Sequence, residues 1–240
     1  MDILEALVTR KSVRGFKSDP VPREILKDVL QVSCRAPSAV NSQPWEFFVL
    51  AGDVIENIKR GSIEKARSGA VPNPEHVLMG WPRDSVYRQR QVALAKQLFQ
   101  LMGIGMEDTE KKRQWMERGL RFFDAPAGIV IVVDQSIIEK GPLLDIGAVM
   151  QSICLAALSH GLGTCIEDQA AMYPQVVRHF AGIPESKRIV ISIAIGYPDW
   201  GFPANKVQSA RESIDTITTW CGFEKKEGVN AFAARSEDQM

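Results

Sequence analysis

The amino-acid sequence predicts a fold of mixed α and β structure. Three apolar runs rich in β-branched and aromatic residues, at 45–50, 127–134 and 188–198, have the length and composition of strands. Long stretches with helical periodicity separate them. With 240 residues and 45% hydrophobic content, the chain is long enough to bury one full core, which favours a single domain.

Helices are predicted on both sides of the first strand. Residues 2–9 carry apolar side chains at helical spacing, and a second helix is expected between Pro22 and Pro37, because proline suits a first helical position and cannot continue a helix. The stretch 84–123 predicts two helices separated at 103–108, where glycines interrupt the pattern.

A further helix is expected within residues 141–165, ending at Gly161 or Gly163. This stretch is apolar on nearly every side, which predicts a place in the core or at a subunit interface. The domain prediction is therefore one domain over 1–223 with a helical excursion at about 84–123. The polar tail at 224–240 is expected to be loosely ordered or to lie on a partner.

Composition argues against several classes of protein. Lys plus Arg and Asp plus Glu both number 29, so no long basic face is expected and nucleic acid is not a predicted partner. No apolar run approaches the roughly 20 residues that a membrane span needs. The start of the chain lacks a basic segment followed by a long apolar one, so we expect a cytoplasmic protein.

Metal and thiol chemistry are also not expected. The three histidines are widely spaced and no cysteine cluster lies near them, so no metal site is predicted. The spacing of the cysteines is neither that of a metal site nor that of a disulfide framework, and reduced buried thiols are expected. They are Cys34, Cys154, Cys165 and Cys221.

The strongest candidate binding residues are Arg10, Lys11, Ser12 and Arg14. In an extended chain the side chains of residues 10, 12 and 14 point to one side. Two guanidinium groups and a hydroxyl suit a phosphate monoester, which has nearly two negative charges and several acceptor oxygens. A solvated basic face beside a helix end would give the same composition, so the cluster alone does not distinguish a phosphate site from an ordinary basic surface.

A second candidate segment is the loop between the predicted helix and the first strand. Asn41 and Gln43 can each donate and accept hydrogen bonds, which suits a heterocycle edge with alternating carbonyl and N–H groups, although an ordinary polar turn has the same residues. Motifs for nucleophilic or metal catalysis are missing, so the chemistry is expected to come from a bound cofactor and no catalytic side chain is predicted.

Four segments together resemble the FMN-dependent nitroreductase family. They read "RKSVRGF" at 10–16, "APSAVNSQPWEFFV" at 36–49, "GLGTCIEDQ" at 161–169 and "NKVQSARESIDTITTW" at 205–220. The resemblance extends to about Phe223. It implies an α+β, nitroreductase-like fold in which helices flank a central mixed β-sheet. It also implies an intertwined homodimer with FMN at the subunit interface, and a terminal strand at "DTITTW" that crosses to the partner's sheet.

The resemblance also implies which residues hold FMN. Arg10 and Ser12, with Lys11, match the phosphate-binding segment, and Arg14 matches a residue that reaches the ribityl chain or the pyrimidine edge. The segment supplied by the other subunit is matched by Pro37, Ser38, Ala39, Asn41 and Gln43. The stretch along the flavin ring is matched by Ile166, Glu167 and Asp168, and the late phosphate-binding arginine by Arg211.

The implied activity is electron transfer from NADH or NADPH, through flavin N5, to a nitroaromatic, quinone or related aromatic acceptor in a ping-pong sequence. Many relatives have glycine where this chain has Asp168, and a carboxylate there would disfavour the anionic reduced flavin. Two alternatives stay open: a same-fold enzyme for dehalogenation or flavin breakdown, and a flavin-binding protein without turnover. Trp81 and Phe122 are the candidate substrate contacts because each lies next to a loop.

Overall fold

One antiparallel sheet organises the part of the chain that the computed structural model describes, which is residues 2–76, 80–138 and 140–223. Its strands are β1 (Glu46–Ala51), β2 (Ala127–Asp134), β3 (Gly163–Glu167) and β4 (Lys187–Gly196). Their order is β1-β2-β4-β3, and each neighbouring pair is antiparallel.

The three predicted strand runs are confirmed, but β3 was not predicted. It has only five residues and begins with glycine, so neither its length nor its composition distinguishes it from the end of the preceding helix. The expected mixed sheet is wrong for the described strands. Parallel pairing is limited there to an isolated bridge between Ser12 and Thr164.

Before residue 208 the predicted helices are confirmed, and two further ones appear, Gly52–Arg67 and Pro174–Ala181. In the first part of the chain, the helices are α1 (Ile3–Thr9), α2 (Arg23–Ser33), α3 (Gly52–Arg67), α4 (Val86–Leu101), α5 (Thr109–Leu120), α6 (Leu143–Ser159) and α7 (Pro174–Ala181). The interruption between α4 and α5 lies where glycines were expected to break the pattern. Helix α5 begins there because the Asp108 carboxylate accepts a hydrogen bond from the Lys111 N–H, 2.9 Å away.

Apolar layers cover both faces of the sheet. Alternate residues of β2 face opposite sides, so Ile129 and Ile131 pack in a cluster with α2 and α6, whereas Val130 and Val132 pack in a cluster with α3 and α7. Burial on both faces explains why β2 is a continuous apolar run rather than an alternating one.

Residues 208–223 form a unit of their own, because the contacts divide the chain after Val207. Within this unit Ile214–Ile217 forms a short helix, α8, where the resemblance implied a strand. The strand expectation at "DTITTW" is therefore wrong for these residues. The Ser213 hydroxyl accepts a hydrogen bond from the Asp215 N–H at 3.3 Å, which caps a helical turn despite the β-branched composition. The tail at 224–240 lies outside the described residues.

The cysteines differ in exposure. Cys154 and Cys165 are buried as expected, Cys34 is half-buried, and Cys221 is exposed. The expectation of buried thiols is therefore wrong for Cys221, which lies in the separate unit at 208–223. Within the described ranges no helix is long and apolar enough to cross a membrane, and no group of three or more His, Cys, Asp or Glu side chains could hold a metal ion.

Candidate functional site

The basic segment near the amino terminus runs alongside β3. The Val13 N–H donates to the Thr164 carbonyl at 2.9 Å, and Ser12 forms the isolated parallel bridge with the same residue. Val13 is buried, whereas Arg10 and Arg14 are only half-buried, as the alternation of an extended chain predicts. The candidate phosphate-binding side chains are therefore aligned beside the strand that carries "TCIEDQ".

Two cations in this segment have no protein counter-ion. The Arg10 guanidinium and the Lys11 ammonium make no hydrogen bond or ion pair with any residue that the structure describes, although both side chains are half-buried. Half-buried cations without a carboxylate partner favour an anionic ligand, because such a ligand would replace the water that they have lost. With the Ser12 hydroxyl, this donor set fits a phosphate monoester.

The thiols beneath the segment do not supply negative charge. Burial raises the pKa of Cys165 to about 12, although the nearby Arg14 opposes the shift. Burial also raises the pKa of Cys154, against the opposing effects of Thr164 and Arg10. Both thiols therefore stay neutral near pH 7, and the cations beside them remain available to a ligand.

Arg14 is positioned differently from its two basic neighbours. Its guanidinium carbon lies 5.9 Å from the ring centroid of Phe123, and its Nη1 donates to the Ser12 carbonyl at 3.4 Å. Phe123 belongs to a turn, Phe122–Asp124, in which all three residues have positive φ between 52° and 61°. Non-glycine residues rarely adopt this conformation, so surrounding contacts must stabilise the turn next to Arg14.

A buried carboxyl group ends β3. Glu167 is 6% exposed, and neither of its carboxyl oxygens has a hydrogen-bond partner within the described ranges. Burial raises the pKa of Glu167 well above its ordinary value, the nearby Asp168 raises it further, and Arg14 lowers it. These influences favour the protonated carboxyl, which would not neutralise Arg14. The neighbouring Ile166 and Asp168 are half-buried.

The second candidate segment is a strained exposed loop. Val40, Asn41 and Gln43 have φ values of 45°, 59° and 46°, and Val40 is completely exposed. The Gln43 N–H donates to the Ser38 hydroxyl at 3.0 Å, and its side-chain Nε2 donates to the Asn41 Oδ1 at 3.1 Å. Strain held in place by local hydrogen bonds is common at binding loops. Of the other predicted residues, Pro37 and Ala39 are exposed and Ser38 is half-buried.

The loop is connected to α6 rather than to the basic segment. The Ala39 N–H donates to the Asp145 carboxylate at 3.1 Å. Within one chain, no hydrogen bond or ion pair of the described residues joins 38–43 to 10–14. The structure of one chain thus brings the basic segment and the end of β3 together and leaves the loop apart from them.

The remaining predicted residues have separate positions. Arg211 belongs to the unit at 208–223, where its Nη1 donates to the Ser209 hydroxyl at 2.9 Å. Trp81 is 46% exposed, and its ring centroid lies 5.2 Å from that of Tyr87. Phe122 has no exposed surface and packs in the core with α3, so its expected contact with substrate is wrong. The helical spacing of the stretch 84–123 did not reveal which of the aromatic residues in that stretch face the core.

Two side chains that hold the basic segment were not predicted, the buried Asn205 and the half-buried Arg118. Asn205 bonds to the backbone of Arg14 and Gly15, and Arg118 bonds to the carbonyl of Arg14. Asn205 lies in the "NKVQSAR" segment, but nothing in that sequence indicates its partners. An open groove of about 490 Å³ between α3 and α7 contains none of the predicted site residues.

Comparison with known proteins identifies the family of the chain. The family model described as "Nitroreductase family" matches residues 7–197, which include the basic segment, the strained loop and all four strands. The chain belongs to the nitroreductase family. The resemblance to this family is thereby confirmed, and the nitroreductase-like fold with it.

Relatives in the nitroreductase family match over most of the chain. Nitrobenzene nitroreductase of Ectopseudomonas oleovorans is 32% identical over 213 residues, covering 88% of this chain and 93% of the relative. Chloronitrobenzene nitroreductase of Comamonas testosteroni is 31% identical, with coverage of 88% and 93%. The crystal structure of the FMN- and NADPH-dependent nitroreductase NfnB from Sphigopyxis sp. strain HMH is 27% identical, with a TM-score of 0.87 and coverage of 93% and 100%.

Proposed function

We propose that this chain is an FMN-dependent oxidoreductase that uses NADH or NADPH to reduce a nitroaromatic, quinone or related aromatic acceptor. The observation that carries the proposal is the pair of half-buried cations, Arg10 and Lys11, without a partner in the described part of the chain. Relatives named as nitroreductases for nitrobenzene and chloronitrobenzene support the class of acceptor. Bound FMN would supply two-electron transfer from the nicotinamide to the acceptor. The nicotinamide and the acceptor would bind at the same site, one after the other.

The proposed role of the basic segment is to bind the cofactor. Arg10, Lys11 and Ser12 would hold the phosphate, because a dianion restores the interactions that half-burial removes from the cations. Arg14 would reach the ribityl chain or the pyrimidine edge. No side chain is needed as a catalytic acid, since the protein orients the cofactor, excludes water and supplies fixed dipoles and charges.

The end of β3 is the next proposed part of the site. Residues 166–168 would lie along the flavin ring, and the burial of Glu167 would keep that side dry. The half-buried Asp168 would make the reduced, anionic flavin less favourable than glycine would at the same position. Arg211 remains a proposed ligand of the FMN phosphate, because it matches the late phosphate-binding arginine of the family.

We further propose that two copies of the chain complete each site. The strained loop has no hydrogen bond to the basic segment in one chain, so its Asn41 and Gln43 would contact the cofactor held by the other copy. Apolar side chains of α1 and α6 are left uncovered: Leu4 is 59% exposed and Leu144 is 87% exposed. Such surfaces favour a subunit interface, and α1 lies against α6. Trp81, also exposed, remains the proposed contact for a planar acceptor.

The proposal is tested by the visible spectrum of the purified protein under anaerobic conditions. NADH or NADPH is added first, and a nitroaromatic compound is added after the nicotinamide is exhausted. We expect a flavin band that bleaches with a nicotinamide and returns with the nitro compound. A band that bleaches with neither nicotinamide would favour a flavin-binding protein without turnover. Bleaching without reoxidation by nitro compounds or quinones would favour another chemistry on the same fold. A colourless protein that does not take up FMN would refute the proposal.

A further inference from the structure

Two side chains from distant parts of the chain hold the backbone of Arg14. Its N–H donates to the Asn205 Oδ1 at 2.7 Å, across a separation of 191 residues. Its carbonyl accepts a hydrogen bond from the Arg118 Nη2 at 3.1 Å, across 104 residues. An extended segment ordinarily makes these bonds to a neighbouring strand. Here side chains take the place of the strand at this one residue.

The amide of Asn205 uses both its donor and its acceptor groups. Besides accepting from Arg14, it donates through Nδ2 to the Gly15 carbonyl at 2.8 Å and to the Asp199 carbonyl at 2.7 Å. Asn205 is only 2% exposed, so water does not replace these bonds. Among side chains of this size only an amide offers an acceptor oxygen together with two N–H donors. Asn205 therefore joins the basic segment to the turn that follows β4.

Arg118 connects the same residue to the strained turn. Its Nη1 pairs with the Asp124 carboxylate at 2.6 Å, its Nη2 also donates to the Phe123 carbonyl at 3.2 Å, and its guanidinium carbon lies 4.5 Å from the Phe202 ring centroid. The Phe123 ring is in turn the surface on which the Arg14 guanidinium lies. The backbone of Arg14 and the ring beneath its side chain are thus held in one connected set of contacts.

The Arg14 side chain lies against these contacts, but most of its hydrogen-bond donors are unused. Within the described ranges, the one hydrogen bond of the Arg14 guanidinium is the 3.4 Å contact with the Ser12 carbonyl, which lies at the long end of the range. Its remaining donors are available for a ligand. A side chain on a fixed backbone samples fewer directions than one on a mobile backbone, so it loses less entropy on binding.

We propose that Asn205 is a positioning residue for the flavin site and acts through Arg14. By fixing the Arg14 N–H and the Gly15 carbonyl together, it sets the direction in which the Arg14 guanidinium presents its donors to the acceptor oxygens of the flavin. The inference rests on the proposed function, and it adds a residue outside the matched cofactor-binding set. Asn205 itself would not touch the cofactor.

The test is a double-mutant cycle on FMN affinity. The full chain is freed of flavin, and FMN is titrated into the unmodified protein, Asn205→Ala, Arg14→Ala and the double variant, with quenching of flavin fluorescence as the signal. We expect Asn205→Ala to weaken binding about tenfold in the unmodified background, the size of a lost charge-assisted hydrogen bond, and less than about twofold when Arg14 is already alanine. Equal factors in both backgrounds would overturn the inference.

Two further variants separate positioning from folding. Tyr173→Phe removes a hydrogen bond of the same kind, from a buried side chain to the Ala70 carbonyl at 3.1 Å, away from the basic segment. It should lower the unfolding midpoint without changing FMN affinity. If Asn205→Ala does not fold, the cycle is repeated with Asn205→Ser, which keeps a neutral polar side chain but is too short to make the three hydrogen bonds of the amide. The same coupling with Arg14 is expected, and its absence counts against the inference.

The outcome also distinguishes this inference from the proposed function. An unmodified protein that does not bind FMN refutes the proposed function and the role of Asn205 together. An unmodified protein that binds FMN, with losses that simply add, refutes only the role of Asn205.

Discussion

Gly15 approaches the ring of Phe202 so closely that no side chain fits between them. A Cβ atom placed on Gly15 would lie 2.2 Å from Cγ of Phe202, and its next nearest neighbours would also be atoms of that side chain, at 2.4 and 2.5 Å. The same Phe202 ring stacks under Arg118. The basic segment therefore packs directly against Phe202, and Phe202 in turn contacts Arg118, one of the two residues that hold Arg14.

Gly15→Ala is expected to destabilise the fold and to weaken FMN binding. The Phe202 ring must move away, which costs about 1–3 kcal/mol in a packed region and disturbs the contact with Arg118. Urea unfolding of the flavin-free protein measures the first effect, and FMN titration measures the second. Gly105→Ala is the control, because its Cβ would meet only the Asp108 Cβ at 3.9 Å. Equal stability of the two variants would contradict the prediction.

Arg10→Ala is expected to reduce the affinity for FMN at least about tenfold while leaving that for riboflavin within about twofold. Riboflavin lacks the phosphate, so only FMN loses a charge-assisted hydrogen bond. Fluorescence titration with both ligands gives the ratio directly. Arg23→Ala removes the same charge from an exposed position on α2 and should change neither affinity. A uniform loss for both ligands would place Arg10 away from the phosphate.

Glu167→Gln is expected to change how stability depends on pH. Burial raises the folded-state pKa of Glu167, so the folded protein keeps a proton that the unfolded chain releases above about pH 4.5. Stability from this group is complete below that pH and is lost as pH rises towards the folded-state pKa. Glutamine is neutral throughout, so the variant should gain stability relative to the unmodified protein as pH rises.

The measurement is the urea midpoint of the flavin-free protein between pH 5 and 8. Glu185→Gln, at an exposed turn, controls for the exchange of a carboxyl for an amide. Parallel curves for the unmodified protein and Glu167→Gln would show that the buried carboxyl does not titrate differently in the folded state.

Thiol reactivity should follow burial. A disulfide reagent at pH 8 is expected to modify Cys221 within minutes and to leave Cys154 and Cys165 unmodified until denaturant is added, because burial blocks access and raises the pKa of both thiols. The thiolate released with and without denaturant gives the number of reactive cysteines in the denatured and the folded protein. The variant Cys221→Ser should abolish the fast phase. Fast modification of Cys165 in the folded protein would mean that β3 opens readily.

Sequence patterns predicted the elements whose composition reflects their surroundings. β2 is buried on both faces, so its apolar run is continuous and its bounds, Ala127–Asp134, match the predicted 127–134. β3 was missed because its five residues include no such run. The opposite error occurs at "DTITTW", where the family resemblance implied a strand and a capped helical turn forms at Ile214–Ile217.

The residues of the candidate site likewise fall into two groups, those that sequence patterns could predict and those whose positions depend on packing. The basic segment and the loop of Asn41 and Gln43 could be proposed from residue types, because cations and amides suit a flavin nucleotide and are visible in the local sequence. The burial of Phe122 and the separation of Arg211 in its own unit were not predictable in this way, since each depends on packing rather than on neighbours in the chain.

The sequence by itself determined the family, the main helices and strands, and the kinds of groups that would hold a phosphate and a heterocycle. Only the tertiary structure decided which side chains fix those groups in place. Asn205 and Arg118 reach Arg14 across 191 and 104 residues, and Phe202 meets Gly15 in the same region. Contacts at such separations depend on how the sheet and its layers close the chain, so local periodicity and composition carry no signal for them.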